Sequence, residues 1–198
     1  MHNEPDVQFL LRDLIEELQS LAGPDEGLPD PSTADGQATL EFFANNWEEA
    51  RSGLLARTEL VRVRPLPVAG PRSFRYEFDL PYKSKSPEGM VELASGPVIG
   101  TIRYRPNILT PEPGSHSIVV SVDSEGFYHP NFGRQHGILC MGDIPPGPFP
   151  LEALIEHIYS IVSYQNMDSR NPWDLEAVRY FGTDPNAFEG ISEVRPLY

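Results

Sequence analysis

The stretch Tyr128-His129-Pro130-Asn131, then residues 132–139, then Cys140-Met141-Gly142-Asp143 decides how this chain is read. It holds the only cysteine of 198 residues. One cysteine excludes an internal disulfide and any multi-thiolate zinc site. What remains is an inert core thiol or a reactive one. Free cysteine is among the most buried residue types, so composition alone favours the inert reading. The setting favours the reactive one. Residues 123–149 read as almost free of regular structure, and so long an irregular stretch inside a compact domain is usually functional.

Regular patterns flank this stretch. Downstream, Leu151, Leu154, Ile155, Ile158, Tyr159, Ile161 and Val162 recur at helical spacing, with Pro150 suited to the first turn. His157 falls away from that apolar face and reads as solvated. A shorter helix is expected over 172–181, packed on the core through Trp173 and Tyr180. Upstream, Phe74 to Leu80 alternates apolar and polar residues as a half-buried strand does. Further strands are expected at 98–104 and 117–122, and the alternation of Val61 and Val63 with Arg62 and Arg64 marks another. Lys83, Lys85 and Pro87-Glu88-Gly89 read as a loop. Residues 5–22 and 37–55 read as amphipathic helices, the second with Leu40, Phe43, Trp47 and Leu54 on one face. The Pro-, Asp- and Gly-rich segment 23–36 reads as a linker between them. The expected class is α+β, an antiparallel meander with flanking helices and an N-terminal helical extension. The boundary is drawn between helices at 1–57 and a main domain at 58–198.

Bulk properties narrow the function classes. The formal charge is −14, and the chain lacks the basic footprint with which a general nucleic-acid binder displaces counterions. No run of residues approaches a membrane span, and Met1-His2-Asn3-Glu4 lacks a signal-peptide profile. A cytoplasmic protein with no nucleic-acid and no membrane partner is the expectation.

The opening stretch resembles the ubiquitin-conjugating enzyme family. That family is marked by an aromatic residue and His-Pro-Asn after a strand, then a short loop with Gly and an apolar residue before the catalytic cysteine. Here Tyr128-His129-Pro130-Asn131, Gly137-Ile138-Leu139 and Cys140 stand in that order. Phe149-Pro150 falls where the family has an aromatic residue and proline before its central helix, and Asn171-Pro172 where it has Asp-Pro opening the next. Strands at 73–81, 98–105 and 117–123 lay onto its meander, so the resemblance covers 73–181. It implies a ubiquitin-conjugating-like fold in which Cys140 takes a ubiquitin-like modifier from an activating enzyme as a thioester and passes it to an amine of a protein substrate. In the same terms Asn131 stabilises the oxyanion or orders the loop, while His129, Pro130 and Tyr128 supply geometry. Asn171 stands at a gate position that is commonly acidic, with Asp168 or Asp174 as substitutes. No cofactor or metal is implied, because adenylation belongs to the activating enzyme.

The chain departs from the family pattern in several places. The interval from Asn131 to Cys140 is one residue longer than usual, as is that from Cys140 to Asp143. Tyr104-Arg105-Pro106 and Pro111-Glu112-Pro113 replace the Tyr-Pro and Pro-Pro signature. The segment at 58–66 has no assigned counterpart, and the usual fourth helix is missing. These features resemble the stand-alone conjugating-type proteins of bacterial ubiquitin-like operons more than typical eukaryotic members, which implies a bacterial setting and points to antiviral defence.

The residue types suit that chemistry independently. A cysteine thiolate is a good nucleophile, and its thioester is an acyl carrier that aminolyses far more readily than an ester. Attack by an amine creates a tetrahedral oxyanion, which a neutral amide such as that of Asn131 stabilises; losing one such donor typically costs about 10²–10³ in rate. Two alternatives stand beside this reading. One is a non-catalytic binding module on the same fold. The other is a cysteine hydrolase pairing Cys140 with a histidine, for which His136 is nearest in sequence.

Overall fold

Val61 and Val63 are buried while Arg62 and Arg64 face solvent, the period-two pattern of a strand with one wet face. The same alternation builds most of the sheet. The computed structural model describes residues 28–53, 59–70, 72–109, 117–142, 147–167 and 172–191. The expected helix at 5–22 and Leu54 lie outside them. In chain order the strands are β1 (Val61–Pro65), β2 (Ser73–Asp79), β3 (Tyr82–Lys85), β4 (Val91–Ala94), β5 (Pro97–Tyr104), β6 (Ile118–Val122), β7 (Phe132–Gly133) and β8 (Ile138–Leu139). The helices are α1 (Ala34–Ser52), α2 (Leu151–Val162) and α3 (Leu175–Thr183), and a short 3₁₀ turn spans Pro67–Ala69.

Six strands form one antiparallel sheet in the order β1-β2-β5-β6-β8-β7, and β3 and β4 form a separate hairpin. The class is α+β with a mostly antiparallel sheet. β1 is an integral edge of the meander, paired with β2 from Val61 opposite Phe78 to Pro65 opposite Phe74. The segment expected as a loop around Lys83 and Lys85 is instead the β3–β4 hairpin, with Tyr82 opposite Ala94 and Lys85 opposite Val91. Its turn closes through Ser86 and Met90, and Gly89 supplies the positive φ of 94° that the reversal requires.

α1 begins three residues earlier than its sequence pattern suggests, inside what reads as linker. Thr33 caps it, its hydroxyl accepting from the Gly36 amide at 3.0 Å. A Cβ on Gly36 would lie 1.8 Å from the Asp30 carbonyl oxygen, so this glycine permits the tight approach of the preceding turn. The helix ends at Gly53 in the left-handed conformation, φ 73°. Leu40, Phe43 and Trp47 are buried as expected. Phe43 and Trp47 share one hydrophobic cluster with Phe74, Tyr104 and the inner face of α2.

α2 is the most apolar helix and packs under the sheet, with Phe78 against Tyr159 at 5.4 Å between ring centroids. Pro150 precedes its first residue and offers no side-chain cap. The cap comes from another helix: Asn46 Oδ1 on α1 accepts the Leu151 amide at 3.0 Å, joining positions 105 residues apart. α3 starts three residues later than expected, where Asp174 Oδ1 accepts from the amides of Glu176 and Ala177. Beyond it, turns carry Ala187 and Ile191 into the core. No helix of the described residues is long and apolar enough to cross a membrane.

Candidate functional site

Phe127, Tyr128 and His129 leave the sheet and run inward, each no more than 1% exposed. Phe127 makes a single antiparallel bridge with Ser84 on β3, and the remaining backbone groups of this buried segment are satisfied by contacts with other elements. The Tyr128 amide donates to the Lys83 carbonyl at 2.9 Å, and the Tyr128 carbonyl accepts from the Tyr164 hydroxyl at 2.9 Å. The same hydroxyl accepts the Lys83 amide at 3.0 Å. Tyr164 reaches this position from a left-handed backbone, φ 62°, just after α2. The Pro130 carbonyl accepts the amides of Trp173 and Asp174, both at 3.0 Å, and so anchors the start of α3.

His129 is fully buried. Its Nδ1 faces the Asn131 amide at 3.0 Å and must accept, which places the ring proton on Nε2. Nε2 is buried without a partner of full hydrogen-bond geometry. Burial pushes the ring's pKa down to about 3, with the Ile161 carbonyl pulling weakly the other way. His129 is therefore a neutral structural histidine that fixes the turn into Asn131.

Cys140 is half-buried and sits directly after β8. Although nine positions separate it from Asn131, the β7–β8 hairpin brings the two together, with Phe132 opposite Leu139 and Gly133 opposite Ile138. In the turn between the two strands Gly137 adopts φ 65° and donates to the Gly133 carbonyl at 2.9 Å. Asn131 then brackets Cys140. Its carbonyl accepts the Cys140 amide at 2.7 Å, and its side-chain Nδ2 donates to the Cys140 carbonyl at 3.2 Å. The side-chain amide thus holds the backbone that carries the thiol.

Tyr128 lies under two cations, with the Arg134 guanidinium 4.6 Å and the Lys85 ammonium 5.3 Å from the ring centroid. Burial, and then the charges of Glu176 and Asp174, push its hydroxyl up to about 12. Asp174 is committed, one oxygen to the α3 cap and the other to Arg134 at 2.8 Å. It is not placed as a spare base. Asn171 and Asp168 lie outside the described residues. Trp173 is 45% exposed rather than packed into the core, and its ring edge covers Gly133, where a Cβ would meet Cε3 at 2.5 Å. Tyr180 packs against the core, in ring contact with Tyr128.

His157 differs from its expected solvated position. It is half-buried on α2, and its Nε2 lies 2.7 Å from the Met141 carbonyl. Helical spacing carried the clue: His157 is three residues after Leu154 and four before Ile161, so it borders the buried stripe. Nothing in the sequence marks Met141 as its partner. His136 is exposed on the β7–β8 turn. Among the described residues no histidine ring is hydrogen-bonded to the Cys140 thiol.

Neither a protein-family model nor any curated protein matches the chain.

Proposed function

We propose that this protein is a ubiquitin-conjugating-like acyl carrier that holds a ubiquitin-like modifier as a thioester on Cys140. The observation that carries the reading is the reciprocal pair of hydrogen bonds between Asn131 and Cys140, which fixes a half-buried thiol at the end of a hairpin. The antiparallel meander followed by α2 and α3 agrees with the fold that the Tyr-His-Pro-Asn and cysteine stretch suggests.

In the first step the Cys140 thiolate attacks the modifier's acyl carbon on the activating enzyme's cysteine. A new S–C bond forms, the old one breaks, and the activating enzyme's thiolate departs. In the second step a neutral amine of a protein substrate attacks the Cys140 thioester. The C–N bond forms, the amine's proton passes to solvent, and Cys140 leaves as thiolate. Asn131 orders the loop during both steps; its Nδ2 bond to the Cys140 carbonyl favours that role over direct oxyanion contact. His129, buried and neutral, acts as scaffold rather than proton carrier. Reactivity of this kind needs solvent access and a fixed nucleophile; a half-buried residue whose backbone is hydrogen-bonded on both sides is compatible with both.

The test is mass spectrometry after incubation with ATP and a panel of bacterial activating enzymes, each with its own modifier. An adduct of modifier mass that thiol reductant removes and Cys140→Ala abolishes is the expected result. No adduct with any pair would leave a non-catalytic binding module. An adduct that persists in Cys140→Ala would refute the thioester outright.

A further inference from the structure

Three backbone groups around the thiol are each held by a different contact. The Cys140 amide donates to the Asn131 carbonyl at 2.7 Å. The Cys140 carbonyl accepts from Asn131 Nδ2 at 3.2 Å. The Met141 carbonyl lies 2.7 Å from His157 Nε2. Asn131 accounts for the first two, and His157 alone for the third. A carbonyl oxygen can only accept, so Nε2 carries the proton and donates. Immediately afterwards the chain turns at Gly142, with φ 66°.

His157 projects from the most firmly packed helix among the described residues. Leu154, Ile158 and Ile161 around it are all 0% exposed, so the helix sets where the imidazole stands. The Ser160 hydroxyl donates to the His157 carbonyl at 2.8 Å, a contact confined to the helix backbone that leaves the ring to Met141. The thiol-bearing loop is thus tied on one side to the Asn131 turn and on the other to the core helix.

We infer that His157 is a positioning residue for Cys140, locking the Met141–Gly142 peptide just beyond the thiol so that the thioester is presented to an incoming amine in one orientation. The inference rests on the proposed acyl-carrier reading for its purpose, but the positioning itself is measurable without any modifier. Small misplacements of a reacting centre are expensive: a shift of about 1 Å costs up to about 10²-fold in rate. The loss of one of three tethers leaves the loop partly held, so the expected effect is smaller, about 5–20-fold.

The experiment loads full-length protein with an acetyl thioester of 2-mercaptoethanesulfonate. The Cys140 thiolate attacks the acetyl carbon and mercaptoethanesulfonate leaves, giving acetyl-Cys140. Discharge is then followed by mass spectrometry at increasing concentrations of free lysine, whose amine forms the new C–N bond as Cys140 thiolate is released. His157→Leu keeps the volume and removes the donor. His157→Gln places an amide N–H at about the reach of Nε2. The expected outcome is a maximal discharge rate about 5–20-fold lower in His157→Leu, with an unchanged half-saturating lysine concentration and recovery to within about twofold in His157→Gln. Two results would overturn the inference. One is discharge by His157→Leu at the wild-type rate. The other is an equal loss in both variants, which would make the ring a packing element. Failure of the acyl-carrier reading would register separately, as absence of any modifier adduct on the wild-type protein.

Discussion

The meander with α2 and the segment from His129 to Met141 are ordered by different physics. In the first, Phe78, Ile158 and Tyr159 are no more than 2% exposed and lock through apolar contact. Burial of each such side chain stabilises the fold by about 1.5–3 kcal/mol. In the second, Phe132 and Leu139 reach the core, and directed bonds add the rest of the order: Asn131 to Cys140, α3 amides to Pro130 and His157 to Met141. Each is worth about 0.5–1.5 kcal/mol net. Apolar contact tolerates small shifts, whereas a hydrogen bond at 2.7 Å does not. A stable frame therefore carries a segment whose geometry is tight but whose energetic share is small.

The contrast breaks first at the frame. Phe78→Ala is expected to cost about 3–5 kcal/mol, because it removes a buried ring and leaves a cavity beside Tyr159. Denaturant unfolding reads this directly, and a cost below 1 kcal/mol would mean that the core is not where stability resides. Next comes His129, which belongs to the segment but is buried as deeply as the core. Its folded pKa, about 3, lies below the ordinary 6.5. The unfolded chain therefore takes up the proton first as the pH falls. The stability tied to the neutral ring is complete above about pH 6.5 and is lost progressively down to about pH 3, at up to about 1.4 kcal/mol per pH unit. His129→Gln is expected to flatten that acid limb between pH 6.5 and 4 in pH-dependent melting. An acid limb unchanged by the substitution would show that His129 is not its source. The smallest effect on stability belongs to Cys140, the proposed nucleophile. Cys140→Ala, at a half-buried position held through its backbone, is expected to unfold within about 1 kcal/mol of wild type while losing every reductant-sensitive adduct. A larger cost would place the thiol among the packing residues.

The same division governs what could be read from the sequence. β2 was legible because Phe74, Tyr76 and Phe78 alternate with charged neighbours, and α2 because its apolar stripe has helical period. The β3–β4 hairpin was not, since Lys83, Ser84 and Lys85 dilute the alternation and Lys83 is buried despite its charge. The start of α1 was hidden by Gly36, a residue that suggests a linker until the Asp30 carbonyl is seen against it. Around Cys140, the resemblance brought Asn131 and Cys140 into one frame. The partners of His157 and Tyr164 were illegible because a side chain bonded to a distant backbone carbonyl leaves no periodicity and no spacing rule. Asp174 was a substitute for the gate residue in the sequence, yet its oxygens are taken by the α3 cap and by Arg134, which sequence order does not reveal.

Lysine occurs at two positions only, 83 and 85. The Lys83 ammonium is buried and donates to the Glu189 carbonyl at 3.0 Å. Lys85 is paired with Glu176 and lies against the Tyr128 ring, with 11% of its side chain exposed. An amine must be free to attack an acyl group, and both of these are engaged. Side chains held this way are poor acceptors of the acyl group in the proposed carrier role. Their amines become available to an acylating label as the fold opens, which makes lysine labelling a direct gauge of how much of the population is unfolded.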